Sequence, residues 1–115
     1  MINLPIELNQ FLTKYWQKKP LLIKGGFKNF NNPLSPEEMA GLSLEEEVES
    51  RIVVQKGENN YQLLNGPFSE QTYQDLPEKN WTLLIQGMDK LIPEVADLLT
   101  GFDSLPKWRI DDIGV

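Results

Sequence analysis

Residues 11–27 constrain the fold of this chain more than any other segment, and they read FLTKYWQKKPLLIKGGF. The helical spacing i, i+3, i+4, i+7 begins just before them and gives one apolar face made of Leu8, Phe11, Leu12, Tyr15 and Trp16. Asn3 and Pro5 stand at the cap and first-turn positions of that helix. Pro20 ends it, because a residue that precedes proline is disfavoured in the α conformation. The segment therefore predicts a helix that packs through one face, followed by a new element.

The residues after Pro20 predict a short buried strand, Leu21-Leu22-Ile23, and then a turn. Gly25-Gly26 allows a tight turn with positive φ. The pair lacks the glycine spacing of either dinucleotide-binding or P-loop motifs, so the sequence favours a turn over a phosphate site.

Two segments between residues 35 and 46 have the spacing of a helix capping box. Ser35, with proline at the first helical position, predicts a short helix through Leu42. Ser43 repeats the spacing with Glu46 and predicts a second helical turn directly afterwards. The acidic residues at this point, Glu45, Glu46, Glu47 and Glu49, are more typical of a solvated helix start than of a cation site.

Strand patterns dominate the middle of the chain. Residues 51–56 and 61–64 flank a four-residue Gly/Asn linker and predict a β-hairpin. Ser69 can cap a short helix through Leu76. Residues 81–86, WTLLIQ, predict a buried strand.

The remaining residues predict one helix and one last strand-like segment. The helix has Pro93 in its first turn and an apolar face of Leu91, Val95, Leu98, Leu99 and Phe102. Residues 108–113, WRIDDI, form the strand-like segment. With no repeat and no linker, residues 1–115 are predicted to be a single α+β unit.

Composition excludes several classes of function. The sequence has no histidine and no cysteine, so it lacks the ligands that nearly all iron, zinc and copper sites use and the base of a Ser-His-Asp system. The absence of cysteine and of a signal segment favours the cytoplasm. No apolar run is long enough to span a bilayer.

Charge is divided unevenly along the chain. Residues 1–35 carry five lysines and one glutamate, whereas residues 36–115 carry six basic and sixteen acidic side chains. An acidic surface repels nucleic acid and attracts basic proteins. Aromatic residues near the lysines, such as Phe27 and Phe30, suggest a nucleic-acid surface only weakly, because Phe11, Tyr15 and Trp16 already belong to a helix's packing face.

Asp111-Asp112 is the most conspicuous polar pair. Adjacent carboxylates on a strand point to opposite faces and cannot cooperate as acid and base. A structural role is favoured, in which one of them pairs with Arg109 or caps a neighbouring backbone group. Large aromatic side chains, Trp16, Trp81 and Trp108, are expected to pack in the core.

The chain resembles the bacterial JmjC/cupin-type ribosomal oxygenases. The resemblance is carried by FLTKYWQKKPLLIKGGF, by residues 34–52 (LSPEEMAGLSLEEEVESRI), by Gly66-Pro67-Phe68, by WTLLIQ and by LPKWRIDDI. It implies an N-terminal segment whose helices and outer strands lead into a double-stranded β-helix, or jelly roll, that this chain lacks. It also implies an enzyme that uses Fe(II) and 2-oxoglutarate to hydroxylate an arginine of a large-subunit ribosomal protein.

The motifs that hold iron and 2-oxoglutarate in that family have no counterpart here, so no catalytic, cofactor-binding or metal-binding residue is assigned. The sequence departs from the family pattern at Gly114, which suggests a truncated or frameshifted product or, alternatively, a standalone relative. The chain alone is therefore expected to be inactive. Alternative readings are an acidic scaffold domain for a basic ribosomal partner, and a segment that forms a homo-oligomer through exposed strand edges.

Overall fold

The computed structural model describes residues 4–115, which fold into short helices around a small sheet. The helices are α1 (Leu8–Lys14), α2 (Pro36–Leu42), α3 (Glu70–Asp75), α4 (Met88–Leu91) and α5 (Pro93–Ala96). The strands are β1 (Ser50–Gly57), β2 (Asn60–Asn65) and β3 (Trp81–Ile85), and 3-10 helices cover Asp97–Phe102 and Lys107–Arg109. The mixture of helix and antiparallel sheet confirms the predicted α+β class.

Helix α1 starts later and ends earlier than the sequence pattern predicts. Its cap is Glu7, whose carboxylate accepts hydrogen bonds from the N–H groups of Asn9 and Gln10, both at 2.9 Å. The predicted cap, Asn3, lies outside the described residues. The helix ends at Lys14, and Gln17 has a φ of +60°. The predicted apolar face is correct, yet its side chains are only half-buried.

Residues 21–23 do not form the predicted buried strand. The side chain of Leu22 is 80% exposed and that of Ile23 is 37% exposed. An apolar segment forms a strand only where a neighbouring strand pairs with its backbone N–H and C=O groups. None of the described strands pairs with residues 21–23. The turn that follows is as predicted, with a φ of +63° at Gly25.

Only the first of the two capping boxes forms. The Ser35 hydroxyl accepts from the N–H of Glu38 and the Glu38 carboxylate accepts from the N–H of Ser35, with Pro36 in the first turn. Ser43 instead lies fully buried at the end of α2, where its hydroxyl donates to the carbonyl of Ala40 at 2.6 Å. Residues 43–48 form turns rather than the helical turn predicted to be capped by Ser43, because the hydroxyl of this serine is bonded inside the core.

The predicted hairpin is confirmed as β1 and β2, and β3 pairs with the other edge of β1 in the order β2-β1-β3. Val53 stands opposite Leu63 on one side and Thr82 on the other. Side chains alternate along β1, so that Ser50, Ile52 and Val54 are buried on one face. Within β3 only Ile85 is fully buried, so the strand is more exposed than predicted.

The core consists of two apolar clusters, and the half-buried Leu83 packs against both of them. One contains Leu34, Met39, Val48, Ile85, Met88 and Val95. The other contains Ile52, Val54 and Phe68, with Tyr73 and Trp81 packed against it. Phe68 and Tyr73 meet edge to face, with ring centroids 6.3 Å apart. The predicted cap of α3 is confirmed at Ser69, which places Tyr73 over this second cluster.

The single helix predicted for residues 91–102 is interrupted. Ile92 is extended, with φ of −125° and ψ of 113°, and Pro93 then begins α5. A residue before proline is disfavoured in the α conformation, and this breaks the helix into α4, α5 and a 3-10 segment. Val95 is nevertheless fully buried, as the apolar pattern predicts.

Candidate functional site

Residues 110–115 run in extended form along the end of β3 and the start of α4. We call the place where β3 ends and α4 begins the β3–α4 corner. The N–H of Ile85 donates to the carbonyl of Val115 at 2.9 Å, and the N–H of Val115 donates back at 3.0 Å. The N–H of Met88 donates to the carbonyl of Ile113 at 2.9 Å. The strand-like segment predicted for residues 108–113 is therefore wrong, because Trp108 and Arg109 lie in the 3-10 helix and only Val115, beyond that segment, pairs with β3.

Two carboxylates connect residues 110–115 to the β3–α4 corner by accepting hydrogen bonds from backbone N–H groups. The Asp112 carboxylate accepts from the N–H of Gly87 at 2.9 Å, and the Asp89 carboxylate accepts from the N–H of Ile113 at 2.9 Å. Of the two roles considered for the aspartate pair, the structure therefore selects the capping of a backbone group by Asp112. Asp111 is exposed, so the adjacent carboxylates do not act together. Asp89 was missed by sequence reasoning, because nothing local marks its distant partner.

A polar network continues from Asp112 into the sheet. The orientation of the Gln86 amide is assigned from its neighbours: with the nitrogen 3.2 Å from Asp112 Oδ2 and the oxygen 3.1 Å from Arg51 Nη2, the amide links the two charged groups. Arg51 Nε is buried and has no hydrogen-bond partner among residues 4–115. The network connects β1, the end of β3 and the last residues of the chain.

Next to the corner lies an open groove of about 600 Å³. Its lining is mainly apolar and comprises Phe27, Phe30, Leu98, Leu99, Phe102, Ile110 and Ile113, together with Arg109, Asp111, Asp112 and Gly114. Phe27 and Phe30 are 42% and 49% exposed. The groove is a surface suited to contact with another apolar surface.

A second apolar surface lies on the face of the sheet opposite Ile52 and Val54, and we call it the open sheet face. The exposed side chains there are Tyr61, Leu63 and Leu84.

Trp108 is also exposed, at 77%, and the Arg109 guanidinium stacks on its ring at 4.6 Å. The expectation that Trp108 packs in the core is therefore wrong for the described residues.

The other candidates from the sequence remain apart from this corner. Gly25 forms a turn, and the acidic residues 45–49 form an exposed turn around the buried Val48. Within residues 4–115, no group of three or more His, Cys, Asp or Glu side chains is placed to hold a metal ion. None of the described helices has the length and apolar character needed to cross a membrane.

Comparison with known proteins gives close similarity over nearly the whole chain. The ribosomal protein uL16 3-hydroxylase of Escherichia coli is 43% identical over 111 residues, which are 96% of this chain and 29% of that protein. A "probable ribosomal oxygenase" of Haemophilus influenzae is 36% identical over 105 residues, which are 91% of this chain and 26% of that protein. The chain thus spans less than a third of the length of these relatives. No family model matches it.

Solved structures agree with the sequence comparison. A structure of the Escherichia coli ribosomal oxygenase YcfD matches with a TM-score of 0.90 and 42% identity, covering 98% of this chain and 31% of that one. Another, in complex with cobalt and 2-oxoglutarate, matches with a TM-score of 0.91 and 41% identity, covering 99% and 31%. The resemblance seen in the sequence motifs is confirmed.

Proposed function

We propose, from the homology of this chain to a segment of the bacterial ribosomal oxygenases, that it forms the N-terminal part of a 2-oxoglutarate- and Fe(II)-dependent protein hydroxylase. The observation that carries the proposal is the 43% identity over 96% of the chain. The substrate would be a basic large-subunit ribosomal protein of the uL16 kind, modified in the cytoplasm. The acidic character of residues 36–115 suits such a partner.

The residues of this chain do not fit the iron site of that chemistry. Such a site takes two imidazoles and a carboxylate, and the sequence contains no histidine. Among the described residues, the carboxylates of Asp112 and Asp89 are already engaged with backbone N–H groups. We therefore assign iron and 2-oxoglutarate to the part of such an enzyme that this chain does not match, and expect the chain alone to be inactive.

The role we assign to this chain is structural support of a catalytic β-helix. Two surfaces suit it, namely the apolar groove beside the β3–α4 corner and the open sheet face with Tyr61, Leu63 and Leu84. Exposed apolar area of this kind is stabilised when it is covered by a second apolar surface. The Gly87–Asp112 hydrogen bond would hold the last residues in the direction from which the chain enters that β-helix.

A complementation experiment tests the proposal. The matching segment is removed from the Escherichia coli 3-hydroxylase, and the remainder is co-expressed with this chain. We expect a co-purifying complex that converts 2-oxoglutarate to succinate and hydroxylates uL16, whereas this chain alone produces no succinate. A remainder that is equally active without the chain, or succinate formation by the chain alone, would contradict the assigned role.

A further inference from the structure

Strand β3 lies at one edge of the sheet, so one side of its backbone faces away from β1. Just after β3, the N–H of Gln86 donates to the carbonyl of Glu49 at 3.1 Å, on the side of β1. Successive backbone groups of a strand point to opposite sides, so the N–H and C=O groups of Ile85, Leu83 and Trp81 point away from β1. We call this side of the strand the outer β3 edge.

The outer β3 edge is already paired at Ile85. The N–H and the carbonyl of this residue are both hydrogen-bonded to Val115, at 2.9 and 3.0 Å. Two bonds exchanged between the same two residues are typical of an antiparallel pair. The direction agrees, because Ile113 is bonded to Met88 while Val115 is bonded to Ile85, so the partner's number falls as the chain advances. Val115 therefore begins an antiparallel ladder on β3.

Leu83 and Trp81 are the next positions along the outer β3 edge, and no described strand pairs with them on that side. Hydrogen-bonded pairs recur at every second residue of an antiparallel ladder. The second residue after Val115 in a longer chain would therefore stand opposite Leu83, and the fourth would stand opposite Trp81. A row of backbone groups without a partner strand readily accepts one more strand, and the Val115 pair determines its direction and register.

The side chains of β3 determine which residues such a strand should carry. Leu83 is half-buried and packs against both core clusters. Leu84 is 36% exposed and lies on the open sheet face. Residues directly opposite one another in a ladder share a face, so an apolar residue opposite Leu83 would extend the core, and its burial would be favourable. The outer β3 edge therefore suits a strand with apolar side chains at the second and fourth positions after Val115.

We propose that the outer β3 edge binds one further strand, which continues from Val115, runs antiparallel to β3 and has its second residue opposite Leu83. In the proposed hydroxylase, the occupant is the first strand of the part that this chain does not match, so the inference rests on the proposed function. The uL16 3-hydroxylase of Escherichia coli is long enough to supply it, since the matched segment is 29% of that protein. The supporting role thereby acquires a defined edge, direction and register.

Amide hydrogen exchange at Leu83, followed by NMR, tests the pairing in two extended forms of the chain. One form carries after Val115 the ten residues that follow the matched segment in the Escherichia coli 3-hydroxylase, and the other carries ten Gly/Ser residues. We expect exchange at Leu83 to be about tenfold slower or more in the first form, relative to exchange at Thr82, whose N–H points to β1 in both. The ratio removes any general change in stability. Equal ratios in the two forms would overturn the proposal.

Proline substitutions within the added strand test its register. The N–H of the second added residue would donate to the carbonyl of Leu83, whereas the N–H of the first would point away from β3. Proline has no N–H, and an edge strand tolerates it only where that group faces outward. Proline at the second position should therefore abolish the slow exchange at Leu83, and proline at the first position, the matched control, should retain most of it. The reverse order, or equal loss from both, would contradict the register.

The exchange measurement and the complementation experiment distinguish the added strand from the hydroxylase role. An active complex, with exchange at Leu83 unchanged by the natural extension, would overturn the strand and leave the hydroxylase role. An inactive complex, with slow exchange at Leu83, would support the strand and count against that role.

Discussion

The hydroxyl of Tyr73 on α3 donates a hydrogen bond to the buried hydroxyl of Ser43 at the end of α2, thirty residues earlier in the chain. The direction follows from the second bond of Ser43, whose own proton is directed to the carbonyl of Ala40 at 2.6 Å. This pair joins the two core clusters, because α2 contributes Met39 to one and α3 contributes Tyr73 to the other.

Removal of this hydrogen bond should destabilise the fold. We expect Tyr73→Phe and Ser43→Ala each to lower the free energy of unfolding by about 1 kcal/mol. The two changes should be non-additive by about 0.5 kcal/mol or more, because they remove the same bond. Urea denaturation of the single and double variants measures this coupling.

The control is Tyr61→Phe, because Tyr61 is 60% exposed and this substitution should change the free energy of unfolding by less than about 0.5 kcal/mol. Full additivity would show that the bond is not formed.

The Asp112 carboxylate should be more important to stability than its neighbour. Asp112→Ala leaves the N–H of Gly87 without its acceptor, and we expect a loss of about 1.5–3 kcal/mol because the acceptor is charged. Amide hydrogen exchange at Gly87 should become faster in the variant. Asp111→Ala is the matched control, since Asp111 is exposed. Equal effects of the two substitutions would argue against the capping role of Asp112.

Local signals in the sequence predicted the elements that depend on local interactions. The hairpin, the capping box at Ser35 and the cap at Ser69 are all confirmed, because each rests on residues within a few positions of one another. A residue before proline is disfavoured in the α conformation, and this predicts the end of the first helix before Pro20. The same preference at Ile92, before Pro93, accounts for the interruption between α4 and α5.

Features that depend on distant partners could not be predicted from the sequence. Residues 21–23 have the apolar character of a strand, yet their exposure is decided by what lies beside them. Ser43 matches a capping box, yet its hydroxyl is hydrogen-bonded to the distant Tyr73 inside the core. At the candidate site, the sequence indicates the aspartate pair and is compatible with a capping role for one of its members. The N–H of Gly87, from which Asp112 accepts, lies 25 residues away, and Asp89 lies 24 residues from its own donor, Ile113.

The open sheet face should cause the isolated chain to self-associate. Leu63 is 56% exposed on the edge strand β2, whose outer backbone groups have no partner strand in the described sheet. We expect the weight-average mass in sedimentation equilibrium to rise with concentration. Leu63→Lys should shift this association to higher concentration, because it places a charge on the exposed edge. Lys56→Arg, an exposed change on β1 that keeps the charge, should have no effect. A monomer at every concentration would contradict the prediction.

Two glycines with open space around them should respond to alanine in opposite directions. At both Gly87 and Gly41, a Cβ would meet no atom within 4 Å, so packing does not decide the result. Gly87 has a φ of +66°, which costs an L-residue about 1–2 kcal/mol, so Gly87→Ala should lower the free energy of unfolding by that amount. Gly41 lies inside α2, where alanine is favoured over glycine, so Gly41→Ala should raise it by about 0.5–1 kcal/mol. Thermal and urea unfolding measure both. If Gly87→Ala were neutral, the left-handed backbone that directs the Gly87 N–H toward Asp112 would not be required for the corner to form.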